Sequence, residues 1–163
     1  MEGKKVSETS ATIVHQMLPE DANPAGNVHG GVIMKHVDTC AGVVAIRHAR
    51  GNAVTASIDR LDFHSPVFIG DLLIVRASLN MVGRTSMEVG VRVEAENLFT
   101  GEIRHTASAY LTYVALDKNG TPVPVAPLIL ETDEEIRRNR EAKKRSQVRL
   151  AEKAGERASR QQG

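Results

Sequence analysis

The feature that most constrains the fold is an apolar stretch between residues 28 and 46 that has the spacing of an α-helix. Apolar side chains recur around most of its circumference, at Val32, Ile33, Val37, Ala41, Val43, Val44 and Ile46. A helix that is apolar on most sides is stable only when other elements cover it. The stretch therefore predicts one buried core helix, which we expect to end near Arg50, where Gly51 and Asn52 follow.

Strand patterns surround this helix. A first strand is predicted from Thr9 to Leu18, and a loop rich in turn residues runs from Pro19 to Asn27. Beyond the helix, alternation with a period of two predicts strands that begin at Ala53 and span Leu72 to Val82, Met87 to Glu96 and Ile103 to Leu116. Short turns between consecutive strands favour antiparallel pairing. We expect an α+β fold in which a long antiparallel sheet wraps the core helix.

Two charged segments are expected to face water. In the strand from Met87 to Glu96, the apolar residues alternate with Glu88, Arg92, Glu94 and Glu96. After a proline-rich, extended connector at 121–130, the composition becomes highly charged, and Thr132 with Glu135 forms a capping box that predicts a solvated helix. We expect this helix to fray beyond Gly155. The predicted organisation is one domain at 1–130 and a charged helical extension at 131–163.

Composition excludes several classes of protein. The chain carries 21 basic and 20 acidic side chains, a net charge of +1, which gives no electrostatic basis for nucleic-acid binding. No apolar run reaches the roughly 18 residues of a membrane-spanning helix, and the first residues lack the apolar segment of a secretory signal. The single cysteine, Cys40, has no intrachain disulfide partner and is expected to fill core space. We therefore expect a cytoplasmic protein without nucleic-acid or membrane partners.

Asp38 is the unusual residue of the core helix. A buried carboxylate is costly unless it is paired or used. Upstream, Gly30 and Gly31 leave the first helical amides uncovered, and these amides at the positive end of the helix dipole can bind an anion or a developing oxyanion. A base within the helix and a polarising group at its tip form a catalytic layout. Non-catalytic alternatives exist for two residues of this region. Asp38 could form an ion pair with Lys35, and Asn23, in the loop before the helix, could be an ordinary turn residue.

The chain resembles the acyl-CoA thioesterases of the hotdog superfamily, in particular the broad-range bacterial and brain-type acyl-CoA hydrolases. The matching segments are Asp21-Ala22-Asn23, Gly26-Asn27-Val28-His29-Gly30-Gly31, Met34 to Asp38, Val54-Thr55-Ala56-Ser57, Asp62-Phe63-His64, Gly83-Arg84-Thr85-Ser86-Met87-Glu88 and the strand Ala107 to Tyr113. Each segment alone is weak, because glycines before a helix and polar turns are common. Their combination, in this order, is specific.

The resemblance implies hydrolysis of acyl-CoA to a free acid and CoA, at sites formed between two subunits. In such enzymes the aspartate that matches Asp38 activates water as a general base, or attacks the thioester itself. The asparagine that matches Asn23 comes from the other subunit and would position the water or the substrate carbonyl. Backbone amides around His29, Gly30 and Gly31 would stabilise the oxyanion, while the His29 imidazole either caps the helix or donates to the thioester. No metal or organic cofactor is implied, because a thioester is already activated toward attack.

The resemblance also implies where CoA binds and how the chain assembles. The candidates for the nucleotide half of CoA are Arg84, Thr85 and Ser86, in a predicted hairpin turn. The weaker candidates, along or near the pantetheine path, are Thr55, Ser57 and His64. The alternative for Arg84 is a solvated turn residue. Because a single sheet of this kind leaves edge strands open, we expect a dimer at minimum, and the family implies a hexamer built as a trimer of dimers.

Two rival functions use the same fold. A hotdog domain can bind acyl-CoA without cleaving it, as a sensor or regulatory module, but such a module needs neither Asn23 nor Asp38. A hydratase of this fold would combine a histidine with an acidic residue on the helix. Here His36 and Asp38 are two positions apart and face different directions. The sequence therefore favours a hydrolase.

Other chemistries find little support in the residue spacing. His29, His36 and His48 are separated by intervals that do not match a compact pair of metal ligands. Tyr110 and Tyr113 are expected on opposite faces of the last strand. We interpret both as sheet residues and not as catalytic acids.

Overall fold

The computed structural model describes all residues from Met1 to Gly163. Its helices are α1 (Val6–Thr9), α2 (Gly30–Ala49) and α3 (Asp133–Gln161), and its strands are β1 (Lys4–Lys5), β2 (Ala11–Gln16), β3 (Asn52–Phe63), β4 (Leu72–Val82), β5 (Ser86–Glu96), β6 (Ile103–Leu116) and β7 (Leu128–Ile129). None of the helices combines the length and the apolar character that crossing a bilayer requires. The elements form the predicted α+β class, with one long core helix, an antiparallel sheet and a charged C-terminal helix.

The main sheet has five strands in the order β2-β4-β5-β6-β3, and all neighbours are antiparallel. Helix α2 contacts each of the five strands. The inward side chains of the strands and the buried face of α2 form one core of 24 residues. Because successive strand residues point to opposite faces, the two-residue alternation of the sequence decides which side chains meet the helix.

Local chemistry sets the ends of the first elements. Helix α2 ends where Arg50 adopts a left-handed backbone conformation, with φ at 52°, close to the predicted position. The first strand is shorter than the predicted span of Thr9 to Leu18. Thr9 belongs to α1, and Pro19 opens a 3-10 turn, so the strand pairing is confined to the residues between them.

Most residues of helix α3 are exposed, but one side of the helix packs across the outer face of the sheet, which corrects the expectation that Glu88 faces water. The Glu88 side chain is 0% exposed and forms an ion pair of 2.7 Å with Arg145 of α3. Arg149 of α3 pairs with Asp59 of β3 in the same way. A charged strand position looks the same in sequence whether water or a charged helix covers it, so the alternation of β5 could not reveal this contact.

The start and end of α3 show how so charged a helix is held. The predicted capping box is present, because the Thr132 hydroxyl accepts from the Glu135 amide at 3.1 Å and the Glu135 carboxylate accepts from the Thr132 amide at 3.3 Å. Ala142 is its one buried residue, so the contact with the sheet depends on a small side chain flanked by arginine stems. The helix continues to Gln161.

Strand β3 forms one edge of the sheet and pairs with β6 only. Three large apolar side chains along this edge remain 38–50% exposed in the single chain, namely Val54, Ile58 and Phe63. Unpaired edge strands with apolar side chains are sites at which another chain can add to a sheet. The edge at β3 is therefore open to pairing with another chain.

Candidate active site

The Asp38 carboxylate lies where helix α2 crosses the inner face of the sheet. Its Oδ1 atom accepts hydrogen bonds from the Thr55 hydroxyl at 2.7 Å and from the Tyr113 hydroxyl at 2.6 Å. None of the ion pairs of the structure includes Asp38, so the alternative of a pair with Lys35 is wrong. The residue is half-buried. Two donors thus hold one carboxylate oxygen, and the other oxygen has no partner within the chain.

Tyr113 belongs to this site, although the sequence predicts it only as a strand residue. Its hydroxyl is 2.8 Å from the main-chain carbonyl of Asp38 as well as 2.6 Å from the carboxylate, and the residue is 2% exposed. Burial, together with the hydrogen bond to Asp38, raises the pKa of Tyr113 well above its ordinary range, so the hydroxyl stays a donor. The signal that could have found it is an inward-facing tyrosine, because a buried hydroxyl requires a hydrogen-bond partner.

The register of the sheet explains why these side chains meet. Thr55 pairs with Tyr113 across β3 and β6, and Tyr113 pairs with Met87 across β6 and β5. Register partners point to the same face of a sheet, and Met87 is fully buried against the core. The row therefore faces α2, and Asp38 lies opposite it. Thr55, predicted on the pantetheine path, donates to the carboxylate.

The hairpin turn between β4 and β5 lies at the same end of the sheet. Ser86 is the register partner of the residue after Tyr113. The carbonyl oxygens of Arg84 and Thr85 each accept a backbone hydrogen bond of 2.9 Å, from the connector after β6 and from β6 itself. The Arg84 residue is exposed and takes part in no ion pair. The turn is thus fixed by its backbone and presents a free guanidinium near the Asp38 end of the sheet.

The loop before α2 is braced by Asn23. Its Oδ1 atom accepts hydrogen bonds from the amides of Ala25 at 3.0 Å and Asn27 at 3.2 Å. The turn role considered for Asn23 is therefore real, and its side-chain amide nitrogen still has no partner within the chain. No hydrogen bond joins Asn23 to Asp38, so one chain does not bring the two predicted catalytic residues together.

The tip of α2 offers fewer free amides than the sequence suggests. His29 is the N-cap, and its Nδ1 atom accepts from the Gly31 amide at 2.9 Å. The Gly31 amide is therefore occupied, which corrects the expectation that both glycine amides can serve an oxyanion. As the first helical residue, Gly30 has no helical acceptor for its amide. Of the two glycine amides, that of Gly30 is the one available to a ligand.

Two predicted site residues remain: His64 lies in a second group, with Asn23 and Gly30, and Ser57 lies in neither group. A cleft of about 390 Å³ is lined by residues that include Asn23, Gly30, Phe63 and His64. Gly30 precedes Asp38 by eight helical residues, roughly 12 Å along the axis. The Ser57 hydroxyl lies 3.4 Å from an Asp59 carboxylate oxygen and joins neither group. The chain thus carries two separate groups of predicted site residues.

The structure offers no strong nucleophile beside Asp38. The Cys40 thiol is fully buried, lies 3.4 Å from the Val75 carbonyl, and has its pKa raised by that burial. No group of three or more His, Cys, Asp or Glu side chains is placed to hold a metal ion. What the arrangement can do chemically is accept a proton at the free oxygen of Asp38.

Sequence comparisons identify several similar proteins. Residues 25–99 match the family model described as Thioesterase superfamily. The chain is 39% identical over 142 residues to an uncharacterized acyl-CoA thioester hydrolase of Bacillus subtilis, covering 87% of this chain and 83% of that protein. It is 36% identical over 156 residues to the cytosolic acyl coenzyme A thioester hydrolase of Rattus norvegicus, covering 94% of this chain but only 41% of that protein. The chain therefore spans less than half the length of this mammalian relative.

Solved structures with the same fold are also similar. The acyl-CoA hydrolase of Staphylococcus aureus, in complex with butyryl coenzyme A, coenzyme A and coenzyme A disulfide, superposes with a TM-score of 0.88 at 33% identity, covering 96% of this chain and 95% of that one. An apo-hexameric acyl-CoA thioesterase gives 0.91 at 38% identity, covering 94% and 99%. Other structures of the Staphylococcus aureus enzyme carry alanine in place of an asparagine, an aspartate or a threonine. These matches confirm the predicted hotdog arrangement.

Proposed function

The chain belongs to the acyl-CoA thioester hydrolases of the thioesterase superfamily, and on that premise we propose that it hydrolyses acyl-CoA to a free acid and CoA. The observation that carries the proposal is the Asp38 carboxylate, held by Thr55 and Tyr113 through one oxygen while the other has no partner. A carboxylate fixed in this way within a core helix suits a general base, because its position is set before substrate arrives.

Residue spacing supports the assignment of Asn23, Asp38 and Thr55. Positions 23 and 38 are 15 residues apart, and positions 38 and 55 are 17 residues apart. The asparagine, aspartate and threonine replaced in the Staphylococcus aureus structures have the same two separations. We infer that the three residues of this chain are their counterparts.

In the proposed reaction, the free oxygen of Asp38 takes a proton from water as the water oxygen attacks the thioester carbonyl carbon. As the new C–O bond forms, the carbonyl π electrons move onto the oxygen. The Gly30 amide and the Asn23 side chain, both supplied by the partner subunit as argued below, stabilise the negative charge there. Collapse of this intermediate breaks the C–S bond, and the proton held by Asp38 passes to the CoA sulfur. No metal or organic cofactor takes part.

We propose that two subunits share each site. Asp38 contacts β3 at Thr55, whereas a Cβ atom at Gly30 would lie 3.6 Å from Phe63 near the other end of the same strand. An antiparallel, two-fold pairing of two β3 edges about the midpoint of this span places Thr55 of one subunit beside Phe63 of the other. The pairing thereby brings the Asp38 group of one subunit to the loop and helix tip of its partner.

The same proposal covers substrate exit and assembly. The nucleotide half of CoA leaves the site over the β4–β5 turn, where Arg84 has no internal partner. Three similar structures are described as hexameric, which supports a hexamer built from such dimers. We also propose a cytoplasmic location, which agrees with the cytosolic relative. A function in fatty acid metabolism and the absence of nucleic-acid and membrane partners remain predictions from the sequence.

The first experiment measures release of free CoA thiol from acetyl, medium-chain and long-chain acyl-CoA. We expect Asp38→Asn and Asn23→Ala each to lower kcat by at least about 100-fold, the usual effect of losing a general base or its partner. The control Asp133→Asn removes an exposed carboxylate at the start of α3 and should leave turnover within about twofold. Full turnover by Asp38→Asn refutes the mechanism, and acyl-CoA binding without thiol release by the parent favours the binding-module alternative.

A complementation experiment tests the shared site. Asn23→Ala and Asp38→Asn subunits are co-expressed so that they pair at random. Half of the dimers are then mixed, and each mixed dimer has one intact site, so about a quarter of parent activity should return. If one chain supplied both residues, no mixture would recover activity.

A further inference from the structure

The outer face of the sheet carries a groove that the proposed reaction does not use. It has a volume of about 460 Å³ and lies between the central strands, the segment at 10–12 and helix α3. Its strand residues Arg76 and Ser78 alternate with Val75 and Ala77, which are buried in the core. Because alternate residues face opposite sides, the groove and Asp38 lie on opposite faces of the sheet.

The floor of the groove is made of small and polar side chains. Ser78 and Tyr110 are both register partners of Gly90, so the three form one row across β4, β5 and β6. In the adjacent row, Ser108 is the register partner of Arg92. The side chain of Asn80 covers Gly90, where an added Cβ atom would lie 2.7 Å from the Asn80 Nδ2 atom. The Ser108 hydroxyl lies 2.7 Å from the Nε2 atom of His105. The Ser78 hydroxyl is therefore the one left free on the floor of the groove.

Arginines dominate the lining of the groove. Five of them line it, namely Arg76, Arg92, Arg137, Arg138 and Arg145. Their ion-pair partners are four carboxylates, those of Glu88, Glu94, Glu134 and Glu141. Glu94 is shared by two arginines of the floor, and Glu134 is shared by Arg137 and Arg138 of α3. The groove therefore keeps an excess of positive charge.

The floor pair is the strongest indication of a ligand. Arg76 and Arg92 are direct register partners on neighbouring strands, an arrangement in which like charges destabilise a sheet. Glu94 contacts Arg76 but lies 4.0 Å from the Arg92 Nε atom. The two arginine side chains are 52% and 55% exposed, so an anion from solvent can reach both. A bound anion would relieve the repulsion that Glu94 compensates only in part.

We propose that this groove binds a diphosphate group. Arginine guanidinium groups form paired hydrogen bonds with phosphate oxygens. Arg76 and Arg92 on the floor and Arg137 and Arg138 on the α3 wall give two such pairs, one for each phosphoryl group, and the Ser78 hydroxyl can donate between them. The diphosphate belongs either to a free compound or to a CoA molecule. Since one pair comes from α3, the ligand also fastens this helix to the sheet.

The test is calorimetric titration of the full chain with inorganic pyrophosphate at low ionic strength, with orthophosphate for comparison. We expect pyrophosphate to bind more tightly than orthophosphate and to weaken as salt is added. The double variant Arg76→Gln/Arg92→Gln and the single variant Ser78→Glu should each weaken binding at least about tenfold, through loss of charged donors or addition of a like charge. The control Arg140→Gln removes an exposed arginine of α3 that does not line the groove, and should stay within about twofold.

Absence of pyrophosphate binding by the parent, or equal binding by the groove variants and the Arg140→Gln control, overturns the proposal. A competition arm identifies the source of the diphosphate. Displacement of pyrophosphate by CoA supports the site with CoA as its ligand, and binding that CoA leaves unchanged supports it with a free diphosphate compound. Binding is measured without turnover, so the result does not depend on the proposed hydrolysis.

Discussion

Replacing Tyr113 with phenylalanine removes one hydroxyl and keeps the ring, so it isolates the hydrogen bond to Asp38. That bond is 2.6 Å long and its acceptor is a carboxylate, a type that contributes roughly 1.5–3 kcal/mol. Asp38 is half-buried, so water can partly replace the lost donor, and we take the lower end, about 1.5 kcal/mol. The Thr55 donor remains, so the carboxylate loses one of its two anchors.

Two assays measure this loss. In urea unfolding at fixed protomer concentration, the cycle of Tyr113→Phe, Asp38→Ala and the double variant should give a coupling free energy of about 1.5 kcal/mol. In turnover, kcat should fall about tenfold, since about 1.4 kcal/mol corresponds to a factor of ten, while KM changes by less than about twofold. The loss should fall on kcat and not on KM because Tyr113 orients the base and does not line the proposed CoA path.

Tyr110→Phe is the matched control, because Tyr110 lies on the same strand but lines the outer groove. In a parallel cycle, Tyr110→Phe should show no coupling free energy with Asp38, and Tyr110→Phe alone should leave kcat unchanged. A coupling free energy within about 0.5 kcal/mol of zero would refute the reasoning, because that is the range in which independent sites add. So would a loss that falls on KM and leaves kcat unchanged.

Two further predictions concern the α3 contact and a buried histidine. Arg145→Met leaves the buried Glu88 carboxylate without its cation and should lower the free energy of unfolding, measured in urea, by roughly 3 kcal/mol. The control Arg140→Met should change this free energy by less than about 0.5 kcal/mol. Equal effects of the two substitutions would show that Glu88 does not need Arg145. His48 is 1% exposed and its Nε2 atom donates to the Ala126 carbonyl at 2.7 Å, and burial lowers its pKa from 6.5. The unfolded chain then binds the proton more readily, so stability is complete above about pH 6.5 and declines as the pH falls toward the lowered pKa. His48→Gln, which keeps the donor, should flatten this decline in urea midpoints measured across pH, and an unchanged slope would contradict the assignment.

Much of the fold could be predicted because it depends on local patterns. The apolar circumference of α2, the alternation of β4 to β6 and the capping box at Thr132 each involve residues only a few positions apart. Asp38 stood out for a similar reason, since one carboxylate within an apolar helix contradicts its neighbours in sequence. The glycine-rich loop identified the helix tip in the same way.

Other parts of the site depend on contacts between distant segments. Tyr113 is 75 positions from Asp38, and only the register of β6 against β3 and its packing on α2 brings its hydroxyl to the carboxylate. Glu88 lies 57 positions from Arg145, and only the packing of α3 on the outer face of the sheet buries this pair. The occupied amide of Gly31 depends on how the imidazole of the N-cap turns.

The sequence by itself determined where the core helix, the long strands and the charged helix form, which strand faces enter the core, and that Asp38 needs a purpose. The tertiary structure alone decided which donors hold that carboxylate, which charges α3 covers, and where the arginines of the outer groove converge. The physical reason is the separation in sequence between the residues that interact. Periodicity and capping act within a turn or two of backbone, whereas hydrogen-bond partners and ion pairs are chosen by strand register and helix packing between residues far apart in the chain.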